Sequence, residues 1–248
     1  MILAIINSLK ADSIKMKHTI FYWIHICIPI LGVLLVVIDY FIHNSDGISS
    51  IGTLLETISL IFPILISVIC SLVIEQEENA GNFKEILGNI YGKYLGFFSK
   101  ILILLFFGLA STILTISGYF IVSKFFLQQD VFDLSFYIEL IFITFGSQIF
   151  LYLFHTFLSF TLGSAGSIGI SIFESLITAL METSLGDGVW FLIPCGWCIR
   201  FTKYFIAHQS LTSFFYYVLS IKCSILFTII FFIFLIIWFH FYEGKKII

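Results

Sequence analysis

Four groups of residues have types and spacing that bear on chemistry. Cys195 and Cys198 form a C-x-x-C pair. Zinc asks for two further ligands, and only His208 is near in sequence; a redox pair asks for a thioredoxin-like βαβ setting. A disulfide and a tight turn built from small residues remain, and the turn is preferred. Glu77 and Glu78 are adjacent acids, as in proteases that use paired glutamates. Such a site also needs a nearby Arg and clustered His, but position 82 is Asn and the only Arg is Arg200. His25 and His155 fall on separate apolar stretches. No His/Asp/Glu set has metal-ligand spacing and no nucleophile–base pair can be placed, so no catalytic residue and no metal site is assigned. Gly88-Asn89-Ile90-Tyr91-Gly92-Lys93-Tyr94 faintly echoes a phosphate-binding loop. It has three residues between its glycines instead of four, and Tyr in place of Ser or Thr after the Lys. Nucleotide binding by this chain is therefore set aside, and any ATP falls to another subunit. Glu174 is the one acid deep in an apolar stretch, where a charge costs about 2.5–3.5 kcal/mol unless it faces protein or water. A polar spot on a transport path and an interhelical hydrogen bond explain it equally well.

The elements that position these residues follow from composition. Of 248 residues, 60% are hydrophobic and only 11% charged, with 31 Phe. A soluble domain carries roughly 25% charge, so lipid is the solvent that suits this surface. A net charge of −3 argues against nucleic-acid binding. The first apolar run is longer than a signal h-region and ends in Asp39-Tyr40-Phe41-Ile42, so it is read as a retained span. A span needs about 20 apolar residues. Six stretches qualify: Thr19–Ile42, Ser50–Ile74, Phe97–Ser123, Phe136–Leu162, Ser167–Ser184 and Cys223–Tyr242. Pro29 and Pro63 fall inside spans, where a kink is expected. The reading is one all-α polytopic membrane domain, residues 1–248, with six transmembrane helices.

Lys and Arg set the orientation. With a cytoplasmic N-terminus, eight lie inside (Lys10, Lys15, Lys17, Lys84, Lys93, Lys100, Lys245, Lys246) and four outside (Lys124, Arg200, Lys203, Lys222). Both termini are then cytoplasmic. The loop from Glu75 to Gly92 is cytoplasmic, and its acidic start suits a helix N-terminus. Phe83, Ile86 and Leu87 form a narrow apolar stripe. An interfacial helix on lipid would want basic residues on its polar face, so docking into a groove on a cytoplasmic partner is the preferred reading over lipid. The turn Gly163-Ser164-Ala165-Gly166 is tight. Ala165 and Gly169 make a small-xxx-small step for close helix approach. Residues 185–222 are extracellular and rich in rings, among them Trp190, Trp197, Phe214, Phe215 and Tyr216, which suits interfacial or re-entrant helices broken at Pro194 and Gly196. Asp39, Glu56, Glu139 and Glu182 make the outer mouth acidic, which draws cationic ligands.

The loop Gln76-Glu77-Glu78-Asn79-Ala80-Gly81-Asn82-Phe83 resembles the first cytoplasmic loop of lantibiotic-immunity ABC transporter permeases of the MutG/EpiG type. The segment Leu185-Gly186-Asp187-Gly188-Val189-Trp190-Phe191-Leu192-Ile193-Pro194-Cys195-Gly196-Trp197-Cys198-Ile199-Arg200 resembles the family's extracellular pattern. Trp23 to Pro29 is similar too. Position 195 is Cys where the pattern has Trp, which removes an aromatic contact there.

The resemblance covers essentially the whole chain. It implies a type-2 ABC exporter (ABCG-like) permease fold in the bacterial plasma membrane. It also implies a companion E-type permease and a separate ABC ATPase dimer that carries ATP and Mg, with no cofactor in this chain. Glu75, Glu77, Glu78, Asn82, Phe83, Ile86 and Leu87 would then couple to the ATPase. Glu174, Asp187, Trp190, Trp197 and Arg200 would be candidates along the path of a lantibiotic or similar cationic peptide. An exporter of another peptide or hydrophobic cargo, an intramembrane enzyme and a scaffold without transport are the rival readings.

Overall fold

A computed structural model describes residues 2–17, 19–43, 46–89, 92–128, 132–207 and 211–244. His208, Ile90, Tyr91, Lys245 and Lys246 lie outside the described residues, as do the side chains of Phe214, Phe215 and Tyr216. The described chain is all helical. It comprises α1 (Ile2–Met16), α2 (Phe21–His43), α3 (Gly47–Asn79), α4 (Lys84–Leu87), α5 (Lys93–Ile121), α6 (Leu134–Glu182), α7 (Trp197–Ile206) and α8 (Leu211–Phe241). Among the described residues five helices are long and apolar enough to cross a membrane: α2, α3, α5 with its π-helical extension to Phe126, α6, and Tyr217–Phe241 of α8. The outward faces of α2, α6 and α8 carry large apolar side chains such as Leu34, Phe173 and Ile230, the surface lipid solvates.

Six expected spans become five long helices because residues 136–162 and 167–184 run together in α6. Within α6 the one non-helical residue is Gly163 (φ 76°, ψ −178°), a region open essentially to glycine alone. The expected four-residue turn shrinks to this residue. A straight helix would separate positions 155 and 174 by about 28 Å, yet His155 Nε2 lies 2.7 Å from Glu174 Oε2. The two limbs therefore fold back on each other. Both pack on α3: Ser71 Oγ meets Ser159 Oγ at 3.2 Å, and Ser67 donates to Ser171 at 2.9 Å. Small hydroxylated residues permit this close approach.

Three element ends also differ from expectation. Helix α1 was not expected at all. Helix α3 continues to Asn79, so Glu75, Glu77 and Glu78 occupy its last two turns rather than a helix N-terminus. The macrodipole disfavours acids there, and nearby cations offset it. At its other end the side chain of Asp46 caps α3 by accepting from Ser49 N at 3.1 Å. Helix α8 begins twelve residues before Cys223, so the irregular segment is shorter than residues 185–222.

Candidate functional site

At one end of the bundle four helices meet through ions. Lys100 of α5 is only 2% exposed. Its ammonium lies 2.5 Å from Asp12 of α1 and 2.5 Å from Glu77 of α3. Ser99 also donates to Asp12. Lys15 of α1 binds Glu77 at 2.9 Å and Glu85 of α4 at 2.5 Å, and Gln76 donates to the Lys15 carbonyl at 2.8 Å. Three carboxylates thus face two ammonium groups, and the chain of contacts runs α1–α5–α3–α1–α4. Burial alone would lower the Lys15 pKa, but its hydrogen bonds to Glu85 and Glu77 outweigh that and raise it above the usual lysine value. A cleft of about 220 Å³ beside the network is walled by Asn7, Ala11, Glu85, Asn89 and Gly96.

The turn between α3 and α4 is fixed just as firmly. Gly81, Asn82 and Phe83 all have positive φ (146°, 52° and 66°), and their amide geometry returns hydrogen bonds to the last α3 carbonyls: Asn82 N to Glu78 O at 2.7 Å, Phe83 N to Glu77 O at 3.2 Å. Phe83 is fully buried. Its ring centroid lies 5.1 Å from that of Phe160 and 5.8 Å from that of Tyr242, in a cluster with Ile74, Ile86, Phe97 and Phe239. This corrects the expected docking stripe. Phe83 and Ile86 face the chain's own bundle, because the left-handed turn swings α4 back under α5. Leu87 is half-buried, and the exposed residues here are mainly polar: Glu75, Asn79, Lys84 and Glu85, with the small Ala80 and Gly88. Gly92 (φ 95°) is the residue at which α5 opens.

At the opposite end the motif Leu185 to Arg200 folds as three 3-10 turns leading into α7. Arg200, 7% exposed, donates through Nε to Met181 O and through Nη2 to Thr183 O at 2.6 Å, and pairs with Asp187 at 2.9 Å. It caps the carbonyl end of α6, as a cation does at a helix C-terminus. Gly186 is required beside it, since a Cβ there would sit 2.4 Å from Met181 O and 2.8 Å from Arg200 Nη2. Trp197 is buried and donates to Phe191 O at 3.0 Å. Trp190 is buried between Phe201 and Tyr204. Both indoles, expected along a substrate path, are enclosed in packing here; Asp187 is the exposed member of the set. Cys195 and Cys198 are buried free thiols at the start of α7.

Glu174 is partnered. His155 bridges Ser167 at 3.0 Å and Glu174 at 2.7 Å, tying the limbs of α6. Of its two readings, the interhelical bond is the one realised in this geometry. Glu56 and Glu182 share a hydrogen bond near Lys203, which stands 3.6 Å from Glu182. Among the described residues no three His, Cys, Asp or Glu side chains converge as metal ligands.

Sequence reasoning singled out Glu77 but not Asp12, Lys15, Ser99 and Lys100, which complete the network around it. The available signal was Lys100 itself, a lysine three residues inside an expected span, which has to find a carboxylate. No family model matches the chain, and no curated protein or solved structure matches it either.

Proposed function

We propose that the chain is the permease subunit of an ABC exporter that removes a lantibiotic or similar cationic antimicrobial peptide from the membrane of the cell. In this reading the two limbs of α6 cross separately, giving six spans with both termini in the cytoplasm. A separate ATPase dimer docks at the α4 end, and a second, E-type permease completes the path. The observation that carries the reading is the ion network joining α1, α3, α4 and α5. A transmitted stroke needs a rigid receiver. Here a one-turn helix is tied by Lys15 and Glu85 to α1, and by the buried Phe83 to the spans. Its exposed residues are polar and of both signs, which suits a transient protein contact. The likeness of residues 76–83 and 185–200 to lantibiotic-immunity permeases supplies the cargo class.

The test is expression with the partner ATPase and second permease in a lantibiotic-sensitive host. The complete set should raise the tolerated lantibiotic concentration, and omission of any one subunit should abolish the gain. Equal tolerance with and without this chain would refute the proposal.

A further inference from the structure

Helix α1 has two working faces. One carries Asp12 and Lys15 into the ion network. The other, through Ile6, Leu9, Lys10 and Ser13, walls a cleft of about 420 Å³ against Leu102, Ile103, Phe106 and Phe107 of α5. Leu102 and Phe106 are exposed, so the cleft opens sideways, where hydrocarbon lies against α5. Its walls are carbon except at two points. The Ser13 hydroxyl is engaged with Tyr22 Oη at 2.7 Å. Lys10 is exposed and, unlike Lys15 and Lys100, has no carboxylate partner among the described residues. An apolar slot with one unpaired ammonium at its rim matches an acyl chain below a phosphate. A peptide segment would bring backbone donors and acceptors that these walls cannot satisfy. A zwitterionic lipid offers a headgroup without net charge.

We propose that the α1–α5 cleft binds one anionic phospholipid of the bilayer, its acyl chain along Leu9, Leu102, Ile103 and Phe106 and its phosphate on Lys10. The site holds α1 against the bundle from the lipid side and does not depend on the transport reading.

The experiment is native mass spectrometry of the purified full chain in detergent, titrated with phosphatidylglycerol or with phosphatidylcholine of the same chain length. The wild-type chain should retain one phosphatidylglycerol with about fivefold preference, the worth of one lysine at a membrane surface. Lys10→Gln should remove the preference and Lys17→Gln, which alters an exposed lysine outside the cleft, should keep it. Leu102→Trp, which fills the slot from its open side, should lower retention of both lipids. A wild-type chain without preference, a Lys10→Gln chain that keeps it, equal loss in Lys17→Gln, or unchanged retention in Leu102→Trp would each overturn the site. All three substitutions are at exposed positions, and an unchanged thermal midpoint confirms that the chain compared is folded.

Discussion

Replacing Lys100 with Met removes the cation shared by Asp12 and Glu77 while keeping most of the apolar stem. In the folded chain the Lys100 side chain is 2% exposed, that of Asp12 7% and that of Glu77 1%. Glu77 keeps Lys15, but among the described residues Asp12 keeps only Ser99. Removing one member of a buried ion set typically costs about 3–5 kcal/mol, because the remaining charge is left without a partner. For a chain of this size each kcal/mol moves the midpoint by about 2–4 °C, so a fall of about 6–20 °C is expected. A thiol-reactive fluorophore reads it in detergent once the accessible Cys27 and Cys223 are replaced by Ser, since Cys70, Cys195 and Cys198 are buried and react on unfolding. Adding Asp12→Asn to Lys100→Met should recover part of the loss, since the stranded charge is gone. The two changes should couple by about 0.5–3 kcal/mol. A Lys100→Met midpoint within about 1 °C of wild type, or strictly additive effects, would refute the ion network as the lock between α1 and the spans.

Other perturbations follow from the same geometry. Gly163→Ala forces a Cβ into φ 76°, ψ −178° and should cost about 1–3 kcal/mol, seen as a lowered midpoint. Phe83→Ala should cost about 3–5 kcal/mol by emptying a buried ring site; a midpoint equal to wild type would restore Phe83 as an outward docking residue. Arg200→Met leaves the Met181 and Thr183 carbonyls without their donor and should cost about 3 kcal/mol, with faster maleimide labelling of Cys195 and Cys198. Alkaline pH should loosen the α4 end. Burial, aided by Glu78, pushes the Tyr242 phenol up to about 12, and Lys15 is raised as well. Both contributions are whole below about pH 10, their unfolded value, and fade as pH rises through the folded pKa. Protease cleavage between α3 and α5 should therefore accelerate between about pH 10 and 12.

Apolar length made the spans legible. Thr19–Ile42 and Ser50–Ile74 lie within or close to α2 and α3, since a helix pairs the backbone polar groups of one apolar run within that run. The irregular segment ahead of α7 was legible from Pro194 and its density of rings. Helix α1 was not, because fifteen residues holding Lys10, Asp12 and Lys15 contain no span-length apolar run. What orders it is a pair 88 positions apart, Asp12 with Lys100, and periodicity carries no such distance. The stripe Phe83, Ile86, Leu87 showed one apolar side of α4 but not its direction; the positive φ at three successive residues turned it inward. Trp190 and Trp197 stood out in the sequence, but that their rings pack against Phe201, Tyr204 and the Phe191 carbonyl follows from the turns of residues 184–196, which sequence spacing does not trace.

The permease reading is tested most directly by affinity purification of the chain from its native membrane, followed by an assay of ATP hydrolysis. The account predicts that a separate ATPase dimer and a second permease accompany the chain, and that adding lantibiotic stimulates hydrolysis. It further predicts that Lys15→Glu, at the bridge to Glu85, lowers the stimulation more than the basal rate. Recovery of the chain without any ATPase, or hydrolysis indifferent to the peptide, would contradict it.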